Sequence, residues 1–148
     1  AIRYPNGENP DFVFHTPISE SLWEFSDISA RENPEKNVLL CVGARALRIA
    51  EDAARTTDKK VTVVNCRSVK PLDESFLMRL GGKNVITIEE NVVSGGFGSS
   101  VSEYFSANKI RADLSVIAFP DRFIKHAETA SQLREAGLTT ENIVSKLI

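Results

Sequence analysis

The sequence predicts an α/β fold: three layers, helix–sheet–helix, around a mostly parallel five-stranded sheet. Three features lead there. From residue 37 onward, apolar β-rich runs alternate with stretches of helical periodicity. The runs are unbroken, as in Val38-Leu39-Leu40-Cys41-Val42, which suits strands buried on both faces. The segments between runs are long enough for crossover helices, the mark of βαβ units and a parallel sheet.

The elements follow in order. Residues 38–42 form the first regular strand and end at Gly43. A helix is predicted over Ala44–Thr56, because Ala46, Leu47, Ile49, Ala50, Ala53 and Ala54 make one broad apolar stripe. Val61-Thr62-Val63-Val64 is a β-branched strand. Residues 73–80 form a short helix, with Asp73 and Glu74 in its first turn complementing the helix dipole. Val85-Ile86-Thr87-Ile88 is the next strand, residues 98–107 a helix, and Leu114-Ser115-Val116-Ile117 a strand. A helix over 128–136 stops at Gly137, and Thr139 or Thr140 caps a last helix reaching Leu147. No internal repeat is visible.

The first 36 residues read differently. Pro5, Pro10, Pro17 and Pro34 forbid a long helix there. Phe12-Val13-Phe14 reads as a short strand. Residues 18–25, with Ile18, Leu22, Trp23 and Phe25, read as one or two helical turns or as a clip packed on the body. The chain opens on Ala1 without Met, and so reads as processed or cut from a longer protein.

Composition excludes several classes. With 148 residues, 42% hydrophobic and 26% charged, the chain is of ordinary globular make-up and needs no disulfide staple. No stretch approaches the ~18 uninterrupted apolar residues of a membrane span. A net charge of −2 argues against a nucleic-acid binder. The charge is uneven: residues 1–35 carry two basic and seven acidic side chains, a balance of −5, against +3 for the rest. That acidic stretch is a solvated arm or a docking strip for a basic surface. Cys41 and Cys66 lie in apolar runs and read as reduced, buried thiols of a cytoplasmic protein, with a disulfide as the alternative.

Ligands of open α/β sheets bind where strand carboxyl ends meet loops. The loops there are 43–45, 65–73, 89–98 and 120–127. Ser94-Gly95-Gly96-Phe97-Gly98 opens a helix and offers amides to an anion. Its G-G-x-G spacing, with Val101 beyond, is not a dinucleotide fingerprint, and a tight turn needing positive φ is the simpler reading. Glu89 and Glu90 are adjacent on a strand end, so their side chains point to opposite faces. They do not flank one substrate as acid and base; hydrogen bonding or an interface is expected of them. His15 and His126 are the only histidines, which leaves no metal-ligand pattern. His126 is a surface residue, or one that approaches a neighbouring subunit's site. No G-x-S-x-G occurs. Pro71 suits the start of a helix capped or charged by Asp73; Arg67 and Lys70 touch phosphate or make ion pairs at a domain contact.

Taken in order, Val69-Lys70-Pro71-Leu72-Asp73, Ile86-Thr87-Ile88-Glu89-Glu90-Asn91, Gly95-Gly96-Phe97-Gly98-Ser99, Phe119-Pro120-Asp121-Arg122-Phe123-Ile124-Lys125-His126 and Ala136-Gly137-Leu138-Thr139 resemble the C-terminal domain of the transketolase family. They look most like its 1-deoxy-D-xylulose-5-phosphate synthase branch. Arg3-Tyr4-Pro5-Asn6-Gly7 resembles the R-Y-P-x-G that ends the preceding domain there. The resemblance implies that residues 1–36 are the tail of that domain plus a connector, and 37–148 the C-terminal domain. It implies a thiamine-diphosphate- and Mg²⁺-dependent parent joining pyruvate to glyceraldehyde 3-phosphate with loss of carbon dioxide, for isoprenoid precursor synthesis. Cofactor and metal would lie between the two preceding domains, and this fragment would bind neither and be inactive alone. Its role would be packing on those domains and homodimerisation. No catalytic residue carries over. Arg3 matches an arginine near the substrate phosphate, where a guanidinium fork suits a phosphate monoester. Lys70, Asp73, Glu89, Glu90, Asn91, Gly95, Gly96, Gly98, Asp121 and His126 match structural or interface loops. Asn6 stands where the family often has a basic residue, and Ala127 where it has glycine.

Two other readings stay open. One is a non-catalytic subunit-interaction domain, as in the beta subunits of 2-oxo-acid dehydrogenases, which share the fold. The other is a stand-alone α/β regulator, against which stands the lack of an acidic phosphoacceptor cluster after the first strand.

Overall fold

The computed structural model describes Pro17 and residues 21–148. The elements are β1 (Glu24–Phe25), β2 (Asn37–Val42), α1 (Ala44–Thr56), β3 (Val61–Asn65), α2 (Glu74–Leu77), β4 (Asn84–Val92), α3 (Phe97–Ala107), β5 (Asp113–Phe119), α4 (Thr129–Glu135) and α5 (Thr140–Ser145). Single 3₁₀ turns cover Ile28–Arg31 and Met78–Leu80. The sheet has five strands in the order β1-β3-β2-β4-β5. Four run parallel and β1 runs antiparallel along the edge of β3.

The pleat sorts each apolar run onto two faces. Leu39, Cys41, Val63, Ile86 and Ile88 join an aliphatic layer with Ala46, Leu47, Ala50 and Ala53 of α1 and Ile143 of α5. The three alanines are fully buried, and small side chains at that spacing let α1 lie close on the strands. Val38, Leu40, Val64, Cys66 and Val85 face the other way, into an aromatic layer with Trp23, Phe76, Phe97 and Phe105. Trp23 meets Phe97 and Phe76 edge-on, with ring centres 5.8 and 6.2 Å apart. Such edge contacts add about 0.5–1.5 kcal/mol to simple burial.

One pair of alternatives is resolved, and two element boundaries need correction. The described fifth strand is β1; Phe12-Val13-Phe14 lies outside the described residues. Within 18–25, the described part is a clip rather than a helix: Trp23 plugs the core, and its indole Nε1 donates to Ser68 O at 2.8 Å. Residues 73–80 form one α-turn and one 3₁₀ turn, with Asp73 outside the helix as its N-cap. β4 also runs past residue 88 to Val92, resuming its pairing with β5 after a register shift. The polar Glu89-Glu90-Asn91 segment carries no apolar signal, so periodicity alone hides that extension.

Helix ends follow the chemistry of their orphan groups. Thr139 Oγ1 accepts from Asn142 N, capping α5. Gly137 takes φ +72°, and the amides of Gly137 and Leu138 return to Arg134 O and Leu133 O, a Schellman closure of α4.

Both cysteines are free and buried, on opposite faces of the sheet, so a disulfide between them has no path. Burial pushes both thiols up, Cys41 further raised by Glu51 and Cys66 by Cys41.

Candidate functional site

The carboxyl ends of β2, β3 and β4 gather most of the polar side chains singled out from the sequence. Glu89 is fully buried on β4. Its Oε2 accepts from Phe97 N at 2.8 Å and its Oε1 from Gly98 N at 2.8 Å. Asn91 Nδ2 donates to Oε2 at 3.1 Å. The α3 N-cap is Gly96, which has no side chain to offer, so Glu89 supplies the acceptor from the neighbouring strand. Its negative charge also sits at the positive end of the helix dipole.

The glycines are what allow this. Gly95 has φ +72°, the positive value expected of the turn. A Cβ on Gly96 would lie 2.6 Å from Val92 O and 2.7 Å from Glu89 Oε1. One on Gly98 would lie 2.7 Å from Thr87 Oγ1 and from Val116 Cγ1. The turn therefore does cradle an anion, and the anion is the chain's own carboxylate.

Glu90 points to the other face, as strand alternation requires, and pairs with Arg45 in the first turn of α1. The pair joins the ends of β2 and β4. These strands flank the switch point, because the chain leaves β2 for β3 on one side and returns to β4 on the other. Glu89 and Glu90 thus serve different helices.

Asp73 is 4% exposed. Its Oδ1 accepts from Phe76 N at 3.2 Å and from Ser75 Oγ at 2.7 Å. Arg31 Nη1 lies 2.7 Å from its Oδ2. The same guanidinium donates to Ser21 Oγ at 2.9 Å and covers the Phe25 ring at 5.4 Å. Arg67 Nη2 donates to Ser21 O at 2.7 Å. Of the two cations expected in this loop, Arg67 therefore holds the clip by a carbonyl, and Lys70 is exposed. The cation paired with Asp73 is Arg31, a partner that no local pattern marks.

Asp121 and His126 stand apart on the exposed loop after β5, beside the fully exposed Phe123. Arg3 and His15 lie outside the described residues. Among the described residues, no three His, Cys, Asp or Glu side chains group to hold a metal ion. No helix there is long and apolar enough to cross a membrane.

Sequence reasoning also missed Asn37 and Asn84, both buried at the amino ends of β2 and β4. A signal existed: each begins its strand with the same Asn-Val pair, and the two asparagines stand in register.

Residues 30–143 match the family model for the transketolase C-terminal domain. The 1-deoxy-D-xylulose-5-phosphate synthase of Ectopseudomonas mendocina (strain ymp) is 37% identical over 97% of this chain and 22% of its own length. That of Hahella chejuensis (strain KCTC 2396) is 33% identical over 99% of this chain and 22% of its own. The chain thus spans about a fifth of these relatives. A solved split-gene transketolase, described as an inactive beta4 tetramer, superposes with a TM-score of 0.64 at 29% identity, over 76% of this chain and 38% of its own. Transketolase from Leishmania mexicana gives a TM-score of 0.50 at 20% identity over 76% of this chain and 16% of its own, a likeness of fold.

Proposed function

The chain belongs to the transketolase C-terminal domain family, and from that premise we propose that it is the C-terminal domain of a cytoplasmic, thiamine-diphosphate-dependent 1-deoxy-D-xylulose-5-phosphate synthase. The parent would join pyruvate to glyceraldehyde 3-phosphate with loss of carbon dioxide, feeding isoprenoid precursor synthesis. Residues 37–148 would pack on the two preceding domains and on a second protomer, with residues 1–36 as tail and connector.

One observation carries the reading: nearly the whole chain aligns to about a fifth of enzymes bearing that name. The geometry supports a packing role over a catalytic one. The buried carboxylates Glu89 and Asp73 are turned inward to backbone amides and to Arg31. That donor set does not fit Mg²⁺ or the diphosphate of the cofactor, which prefer converging, accessible oxygens for the metal and free donors for the phosphates. We therefore assign cofactor and metal to the preceding domains, and no chemical step to these residues. Arg3 is assigned the phosphate of the aldehyde substrate. The loops bearing Lys70, Asp73, Glu89, Glu90, Asn91, Gly95, Gly96, Gly98, Asp121 and His126 are assigned to structure and interface.

The test uses the full-length parent and the 148-residue chain side by side. With thiamine diphosphate and Mg²⁺, the parent turns over pyruvate and glyceraldehyde 3-phosphate, and the 148-residue chain does not. Decarboxylation by the pure fragment would sink the domain reading. In the parent, Arg3→Ala raises KM for the phosphorylated aldehyde at least tenfold and leaves the pyruvate KM unchanged. An unchanged aldehyde KM removes Arg3 from the site. An upstream frame lacking a diphosphate-binding domain would turn the reading toward a beta subunit.

A further inference from the structure

The residues that end the described fold are held by an arrangement unlike ordinary helix docking. Asn37 and Asn84 are 2% and 3% exposed and joined by Asn84 Nδ2 donating to Asn37 Oδ1 at 2.9 Å. Asn37 Oδ1 also accepts from Ile148 N at 3.0 Å, while Asn37 Nδ2 donates to Ile148 O at 3.0 Å. One side-chain amide thus pairs with a residue's main chain at both positions, as a neighbouring strand would. Asn84 Nδ2 donates to Lys146 O at 2.9 Å, and Lys59 Nζ to Leu147 O at 2.6 Å. Three consecutive carbonyls each receive a donor from the body of the domain.

These polar contacts ignore side-chain identity. Selection enters at one position: Leu147 is 4% exposed within the aliphatic layer, while Ile148 is 59% exposed. The site is built of buried amides whose hydrogen-bonding capacity is largely directed at another segment's backbone.

We propose that Asn37, Asn84 and Lys59 form a peptide-binding site. It reads the main chain of a tripeptide around one buried aliphatic residue, and residues 146–148 are its ligand held in cis. A short peptide with an aliphatic residue at the central position is the ligand class it takes in trans. In the unsubstituted chain the tethered segment wins by effective concentration. This site is independent of the synthase reading and lies at the opposite end of the sheet from Glu89.

The test is made in the full 148-residue chain. Leu147→Asp weakens the tethered ligand and leaves all three clasp side chains in place. The probe is the synthetic peptide acetyl-Ser-Lys-Leu-Ile, titrated by NMR into the Leu147→Asp chain and the unsubstituted one. The expected result is saturable binding to Leu147→Asp at least tenfold tighter than to the unsubstituted chain. The same peptide carrying Asp for Leu does not bind, and adding Asn37→Ala weakens binding at least tenfold. A folded Leu147→Asp chain that shows no saturable binding, or binding indifferent to Asn37→Ala, overturns the proposal. If Leu147→Asp does not fold alone, Leu147→Ala enters the same titration and the same outcomes decide.

Discussion

The two ends of the sheet are built from opposite chemistry. At the carboxyl ends of the strands, helix amides are met by acceptors: Glu89 and Asp73 take backbone amides of α3 and α2. At the amino ends, main-chain carbonyls are met by donors, although Asn37 Oδ1 also accepts from Ile148 N. Lys36 donates to Gly82 O, Lys83 to Pro34 O and Lys59 to Leu147 O, each at 2.6 Å, and the two asparagines serve Lys146 and Ile148. The difference follows from topology. In βαβ units the helices run against the strands, so helix amino termini with orphan N–H groups collect at one end and orphan carbonyls at the other. A cluster of carboxylates at strand carboxyl ends is therefore what the fold itself asks for, and is weak evidence of catalysis taken alone.

That contrast can be broken by exchange. The largest effect is expected for Glu89→Ala, which strands two buried amides of α3 and costs about 3 kcal/mol, read as a fall in the urea midpoint at constant slope. Glu89→Gln keeps one accepting oxygen and costs about half as much. Equal stability of Glu89→Ala and the unsubstituted chain would remove the acceptor rule at this end. Next is Asn37→Asp, expected to cost about 2 kcal/mol because a carboxylate cannot donate to the carbonyls of Lys60 and Ile148. A neutral or stabilising Asn37→Asp would show that the amino end does not require donors. The smallest effect is for Arg45→Ala. The Arg45–Glu90 side chains are 20% and 25% exposed, so a double-mutant cycle should give a coupling of about 1 kcal/mol or less. A coupling above about 2 kcal/mol would place this pair with the buried caps instead.

The sequence made the layers legible because packing wrote them as pattern: the run from Val38 to Val42 and the alanine stripe of α1 have only one comfortable burial each. Gly95 was readable as a turn, and Gly137 as a helix stop. Long-range partners were not. Nothing local in Glu89 says that its carboxylate will meet amides at Phe97 and Gly98, and Arg31 reaches Asp73 across 42 positions of chain. Two-residue β1 is too short for any periodicity, and Trp23 inserts from a proline-broken segment by tertiary contact alone. The repeated Asn-Val start of β2 and β4 was visible, but its meaning depends on register, which only the folded sheet supplies.

The placement of the two thiols has a kinetic consequence. A reagent that attacks only the thiolate will find neither sulfur while the layers stay closed, because burial keeps both protonated. Cys41 becomes reachable when the aliphatic layer lifts, and Cys66 when the aromatic layer around Trp23 lifts. The molecule thus carries two separate clocks for local opening, one per side of the same sheet. The ratio of their labelling rates reads which side breathes first, with no cysteine introduced.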